Sequence, residues 1–194
     1  RSLRYYPYEL KFNGVSSSQS MTTEVRIFAM KSKNFQIVSH KFLEEETAEY
    51  FDVKFRKATK AEIEQNPGSA SGWIAFVTLK VGLPVGRIEQ KLQLKTNLGD
   101  KVQIDIGIKG RVVSDVTFFG RNVDSARSIL KLHGVSRAKG MLTKLNVLVK
   151  GTPERRERIK LKVIRVEPAD VLKVSLSKGE DRKKVRMHLL TLEI

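Results

Sequence analysis

At 194 residues the chain has room for one large domain or for two of about 100 residues each, the usual size of a β-sandwich module. Hydrophobic residues make up 40% of it, enough for a packed core, yet no stretch approaches the ~18 consecutive apolar residues of a membrane helix. It has no cysteine, which excludes disulfide staples, thiolate catalysis and cysteine-based zinc sites, and its formal net charge of +16 points either to a polyanionic partner or to a solubilising surface.

Taken in order, the chain begins Arg1-Ser2-Leu3-Arg4-Tyr5, without an apolar signal core, as expected of a fragment or of a chain whose targeting segment has been removed. Tyr6, Tyr8, Leu10 and Phe12 alternate with polar neighbours, predicting an opening strand ended by Asn13-Gly14. The Ser16–Ser20 run is read as a turn. Thr23, Val25, Ile27 and Ala29 predict a second strand, Phe35–Phe42 a third, and Phe51, Val53 and Phe55 a fourth, with Glu44-Glu45-Glu46 as an acidic loop. Ala58–Glu64 has the composition of a helical turn before Asn66-Pro67-Gly68 breaks it. Trp73–Val81 is apolar on both faces at its start, the mark of a central strand.

Ile88, Leu92 and Leu94 then alternate with Glu89, Lys91, Gln93 and Lys95. After a polar turn at Asn97, Gly99 and Asp100, Val102, Ile104, Ile106 and Ile108 alternate with Gln103, Asp105 and Lys109. Two such runs around a Gly-containing turn predict a β-hairpin. Seven short strands with turns every 8–15 residues are the signature of an immunoglobulin-like β-sandwich.

The chain also repeats itself. Leu10-Lys11-Phe12-Asn13-Gly14-Val15-Ser16 returns as Leu130-Lys131-Leu132-His133-Gly134-Val135-Ser136, and at the same offset Met21 meets Met141 and Thr23 meets Thr143. A duplicated domain is the simplest account. In the second copy Ile159, Leu161 and Val163 alternate with Lys160 and Lys162, Leu172, Val174 and Leu176 alternate with Lys173 and Ser175, and Val185–Ile194 reads as the last strand. The expected architecture is all-β: two tandem immunoglobulin-like sandwiches, residues 1–112 and 113–194, joined almost directly. If Trp73–Val81 corresponds to Arg186–Ile194, the second copy stops where its own closing hairpin would begin, so it is expected to lack about two strands, with an apolar face left for another segment to cover.

The run Gly82-Leu83-Pro84-Val85-Gly86, the strand closing on Thr96-Asn97 and the ending Gly110-Arg111-Val112-Val113 resemble the closing half of Hydin-type, major-sperm-protein-like immunoglobulin repeats of bacterial envelope and secreted proteins. The resemblance implies fold: tandem binding or spacer modules, exported to the periplasm, envelope or exterior. It supplies no catalytic residues.

Few constellations suggest chemistry. His40, His133 and His188 have no metal-ligand spacing, and no metal or other cofactor is expected. Gly68-Ser69-Ala70-Ser71-Gly72 places Ala70 where a nucleophile elbow needs serine. Glu44 with Glu46, and Asp100 with Asp105, read as solvated charge. Trp73 reads as core, and Tyr5, Tyr6 and Tyr8 as a weaker candidate for a carbohydrate platform. The basic residues are the one promising group. Residues 1–112 hold 18 Lys and Arg against 12 acids and residues 113–194 hold 19 against 9. Lys144, Lys150, Lys160, Lys162 and Lys173 fall at outward strand positions, Arg155, Arg156 and Arg158 in one loop, and Arg182, Lys183, Lys184 and Arg186 after a turn. Aligned, they form a stripe for phosphates or sulfates, although no aromatic residues interleave to stack bases.

These patterns favour a non-enzymatic structural or adhesive module that binds a protein through sheet faces, edges or a groove. Binding of an acidic polymer, nucleic acid or acidic polysaccharide, through the second half is the alternative.

Overall fold

The computed structural model describes residues 3–99, 103–125 and 127–194, and its fold is all-β. Asp100 and Val102, assigned above to the hairpin turn and to its inward face, lie outside the described residues. The chain divides into two compact units, the first ending at Val113 and the second spanning Ser114–Ile194.

Among its described residues the first unit has eight strands: β1 (Leu3–Tyr6), β2 (Glu9–Ser16), β3 (Met21–Ala29), β4 (Ile37–Phe42), β5 (Phe51–Lys57), β6 (Ser71–Leu79), β7 (Gly86–Thr96) and β8 (Gln103–Val113). Two short helices, α1 (Glu45–Ala48) and α2 (Lys60–Glu64), interrupt them. One sheet runs β1-β3-β6-β5 and the other β2-β8-β7-β4. This is an immunoglobulin-like sandwich whose first strand is divided between its two sheets.

The alternation read from the sequence explains the core. Val25, Ile27, Val77, Leu79 and Val53 face inward from the first sheet, and Phe12, Leu92, Leu94, Ile106 and Ile108 meet them from the second, all buried. Gln90 occupies an inward position of β7 and is buried too. Its side chain is satisfied by the backbone of Glu44, accepting from the N–H at 2.9 Å and donating to the carbonyl at 2.8 Å, so it pins the start of α1.

Two expectations need correction here. The single opening strand is two strands in different sheets: β1 pairs with β3, whereas β2 pairs in parallel with β8. Pro7 has no N–H to offer a ladder, and it stands between them. Asn13-Gly14 does not end the strand either, because β2 runs on to Ser16 across a register shift between Asn13 and Val15, with Gly14 at φ +64°. The acidic loop read at Glu44–Glu46 is instead the N-cap and first residues of α1, which the sequence reading missed.

α2 carries a capping box. Thr59 Oγ1 accepts from the Glu62 N–H at 3.3 Å and the Glu62 carboxylate accepts from the Thr59 N–H at 2.8 Å. Arg56 donates to both carboxylate oxygens, at 2.7 and 2.8 Å. The Arg56 hydrogen bonds, seconded by the Thr59 backbone, hold the Glu62 carboxyl at about 2, against an ordinary value of 4.5. A depressed carboxyl stabilises the fold above its unfolded value and loses that contribution as the pH falls through its folded value. The stability of the first unit therefore falls between pH 4.5 and about 2. Following the Glu62 carboxyl resonance by NMR checks this: the expected midpoint lies near 2, and a midpoint at the ordinary value contradicts the assignment.

The second unit comprises β9 (Val116–Phe119), the two-residue strands β10 (Val123–Asp124) and β11 (Ile129–Leu130), β12 (Leu142–Lys150), α3 (Pro153–Arg158), β13 (Lys173–Leu176), β14 (Glu180–Arg182) and β15 (Val185–Glu193). Its main sheet runs β13-β15-β12-β9, with β14 paired to β15, and β10 and β11 pair only with each other.

That order matches β5-β6-β3-β1, the first sheet of the first unit. The registers also match: Leu3 opposes Ala29 as Val116 opposes Val149, and Met21 opposes Leu79 as Met141 and Ile194 exchange both backbone bonds at 2.9 Å. The correspondence therefore places Ile194 on Leu79, two residues from the sequence-based alignment.

The second sheet has no such counterpart among the described residues. The stretch Ile159–Val163, expected to be a strand, has no regular structure and pairs with no strand. Beyond Leu130 the repeated Lys131–Ser136 segment is likewise irregular. The physical reason is common to both. In the first unit their counterparts are β2, which pairs with β8, and β4, which lies between β3 and β5 in the chain and pairs with β7. Strand propensity alone does not order an extended segment with no neighbour to satisfy its backbone.

Candidate functional site

A concavity lies in the second unit, on the face of its sheet that bears Leu145, Val147 and Val149. It is an open groove of about 890 Å³. Ile159, Leu161 and Val163 form one wall, Leu176 to Gly179 the other, and Arg186 and His188 of β15 the floor.

An ionic hub holds one end. α3 begins at Pro153, suited to a first helical turn, and carries Arg155, Arg156 and Arg158 in its last turn, where cations complement the helix dipole. Arg156 is 5% exposed. Its Nε donates to Asp181 at 3.1 Å and its Nη1 to the carbonyl of Gly151 at 2.9 Å. Asp181 lies opposite Arg186 in the β14–β15 ladder and accepts from its Nη2 at 2.8 Å. Arg186 first, then Arg156, holds the Asp181 carboxyl below the usual carboxylate range, and Asp181 in turn raises Arg186. Arg155 pairs with Asp115 at 2.7 Å.

At the floor, His188 donates from Nδ1 to the carbonyl of Ser177 at 3.0 Å, while its Nε2 has no partner among the described residues. Gly179 is fixed by this packing, since a Cβ there would stand 2.5 Å from His188 Nε2 and 2.7 Å from Arg186 Cδ. What the groove offers chemically is an apolar wall of Ile159, Leu161, Val163 and Leu176, rimmed by the charged side chains of Glu157, Lys160, Lys178, Asp181 and Arg186.

The structure does not unite the basic stripe expected from the sequence. Arg155, Arg156 and Arg186 are engaged with Asp115 and Asp181. Lys144, Lys150 and Lys173 sit on the opposite face of the sheet from Leu145, Val147 and Val149, whereas Lys160 lines the groove. Lys162 is exposed in the irregular segment, Arg158 is exposed on α3, and Arg182, Lys183 and Lys184 are exposed around the β14–β15 turn. The face that carries Lys144 and Lys150 also exposes Phe119, Leu142 and Leu189.

Other candidates resolve into packing. Trp73 packs against the core and donates from Nε1 to the Phe35 carbonyl at 2.9 Å. In the Gly68–Gly72 segment Ser71 donates to the Ser32 carbonyl at 2.6 Å, and Gly72 lies under the Phe28 ring, which a Cβ would meet at 2.6 Å. Tyr5 and Tyr8 stack edge to face at 5.0 Å, and Tyr6 donates to Asn66 Oδ1 at 3.1 Å. Among the described residues no three His, Asp or Glu side chains converge in a way that would hold a metal ion. No described helix is long and apolar enough to cross a membrane.

Sequence reasoning missed the groove because its walls come from Ile159–Val163 and from the end of Leu172–Leu176, both read as strands of a packed sandwich.

No protein-family model and no curated protein matches the chain. Among solved structures, a protein of unknown function from Porphyromonas gingivalis is 10% identical with a TM-score of 0.39, over 100% of this chain and 83% of that one. A family 123 glycoside hydrolase from Clostridium perfringens is 10% identical with a TM-score of 0.38, over 54% of this chain and 23% of that one. The adhesin InvE of Yersinia pseudotuberculosis is 13% identical with a TM-score of 0.26, over 98% of this chain and 49% of that one. The match thus spans about a quarter of the Clostridium enzyme and half of the Yersinia adhesin.

Proposed function

We propose that the protein is a non-enzymatic interaction module, structural or adhesive, of a bacterial envelope or secreted protein, and that it binds a protein partner through the second unit. The observation that carries this reading is the open groove on the apolar side of the second unit's sheet. In the first unit the corresponding sheet face is covered by a second sheet of four strands, and Val25, Ile27, Ala29, Phe51, Val53, Ala75, Val77 and Leu79 on it are buried. In the second unit only Leu145, Val147 and Val149 of the described apolar side chains reach that degree of burial. A sheet face of this kind, lined by Leu161 and Leu176, is the sort of surface that protein partners cover. The resemblance to Hydin-type repeats supports export and a place in a tandem array.

The dye 1-anilinonaphthalene-8-sulfonate tests the reading, since it fluoresces on open apolar surface. The native chain is expected to enhance its emission, and the double variant Leu161→Asp/Leu176→Asp to lose about half of that enhancement or more, the rest coming from Phe119 and its neighbours. No enhancement, or an enhancement the double variant leaves intact, contradicts a groove-based module.

Acidic-polymer binding is the second reading. It rests on the exposed cations Arg182, Lys183 and Lys184 clustered at one turn. It requires retention on heparin that falls steeply with salt and that Lys183→Glu/Lys184→Glu weakens.

A further inference from the structure

We infer that the first unit holds a binding site for an acidic sugar residue, a pyranose carrying a carboxylate or sulfate group, between Trp73, Lys33 and Lys57. The site goes beyond the module reading, because it belongs to the first unit alone and does not depend on the groove of the second.

Three pieces of chain meet there. β5 closes on Lys57, β6 opens on Ser71-Gly72-Trp73, and the connection from β3 to β4 runs through Lys33-Asn34-Phe35-Gln36. Lys57 and Trp73 are partners in the β5–β6 ladder. Together these pieces enclose a cavity of about 130 Å³, room for a single six-membered ring rather than for a drug-sized molecule.

The walls are fixed before any ligand arrives. The Trp73 indole packs against the core, and its Nε1 donates to the Phe35 carbonyl at 2.9 Å. Ser71 Oγ donates to the Ser32 carbonyl at 2.6 Å. Asn97, just beyond β7, grips the same connection: its Nδ2 donates to the Asn34 carbonyl at 2.7 Å and its Oδ1 accepts from the Gln36 N–H at 2.8 Å. Its own N–H donates to the Gln36 carbonyl at 3.1 Å. A loop held in this way gives up little further entropy when it binds.

The charge of the lining selects the ligand. Arg26, Arg56, Arg87 and Lys109 of this unit are each paired with a glutamate. Lys33 and Lys57 are exposed and have no such partner among the described residues, and no carboxylate lines the cavity. Lys57 Nζ stands 6.0 Å from the centre of the Trp73 ring, a cation–π contact that steadies the charge without neutralising it. An anion placed beside both ammonium groups relieves their mutual repulsion. The amides of Asn34 and Gln36 supply donors and acceptors for sugar hydroxyls, and the half-buried indole offers the ring an apolar surface. A nucleic acid fits less well, since one indole is not the run of stacking platforms that successive bases need.

Trp73 is the chain's only tryptophan, so its emission reads the site directly. The probes are trigalacturonate and a galactose sulfate, with the methyl ester of trigalacturonate as the neutral control. At least one acidic probe is expected to change the emission saturably and to shift the Asn34 and Gln36 amide resonances along the same curve, while the ester does neither. The probe that binds identifies carboxylate or sulfate as the preferred group. Lys33→Gln and Lys57→Gln are each expected to weaken binding about tenfold, the loss of one charge-assisted contact, with the urea midpoint unchanged because both side chains are exposed. Lys183→Glu/Lys184→Glu is expected to leave the affinity unchanged, which separates this site from acidic-polymer binding by the second unit. No emission change and no amide shift with either acidic probe up to ~10 mM overturns the inference. So does equal binding of the ester, or an affinity that both lysine variants leave intact. Acetate or inorganic sulfate matching the acidic sugars at equal concentration would mean an adventitious ion only, and overturns it as well.

Discussion

Replacing Gly110 with alanine separates β2 from β8 and lowers the stability of the first unit by about 3 kcal/mol or more. The reason is a close approach of backbone to backbone. Phe12 and Gly110 are partners in the parallel ladder, and a Cβ at 110 would stand 2.0 Å from the Phe12 carbonyl oxygen and 2.5 Å from its carbon. No side-chain rotation relieves such a contact, because the obstructing atoms are themselves main chain. Trp73 is the chain's only tryptophan and belongs to the first unit, so its fluorescence in a urea titration reports this unfolding alone. A Gly110→Ala midpoint equal to that of the parent would contradict the close approach.

Phe12→Ala costs about 3–5 kcal/mol, read by the same fluorescence. Its ring is fully buried and meets the edge of Phe51 with centroids 6.1 Å apart and planes at 80°. Truncation removes that contact and leaves a cavity between two sheets whose positions are fixed by eight paired strands. The matched experiment is Leu132→Ala, at the repeated position of the second unit. Leu132 is 38% exposed and outside any strand, so its truncation costs no more than about 0.5 kcal/mol, read by far-ultraviolet circular dichroism because Trp73 does not report the second unit. Equal costs at the two sites would mean that the repeat buries both alike.

The contrast between Phe12 and Leu132 also marks how much was legible in the sequence. Within the first unit the alternation at β3, β5, β6, β7 and β8 was sufficient, because each strand's apolar face has a partner sheet and the pattern is therefore decisive. Pro7 was visible, yet its effect depends on two sheets competing for one strand, which a linear pattern does not show. In the second unit Leu130–Ser136 carries nearly the same letters as Leu10–Ser16 and takes a different conformation. The difference lies outside the segment, in the presence or absence of a strand such as β8. The ion pairs of Arg155, Arg156 and Arg186 were invisible for a similar reason. A run of cations reads as a stripe until α3 and the β14–β15 ladder turn three of them toward Asp115 and Asp181.

The groove follows from this dependence on partners. The same sheet that is fully covered in the first unit is only partly covered in the second, by irregular segments that keep the alternation of strands. Native-state hydrogen exchange on the unmodified chain measures this most directly. Amides of β3, β6, β7 and β8 are expected to be slowed at least ~1,000-fold, while those of 132–136 and 159–166 are slowed less than ~10-fold, as befits segments without ladder partners. Protection at 159–166 comparable to that of β7 would show a paired strand there, and would contradict an open second unit.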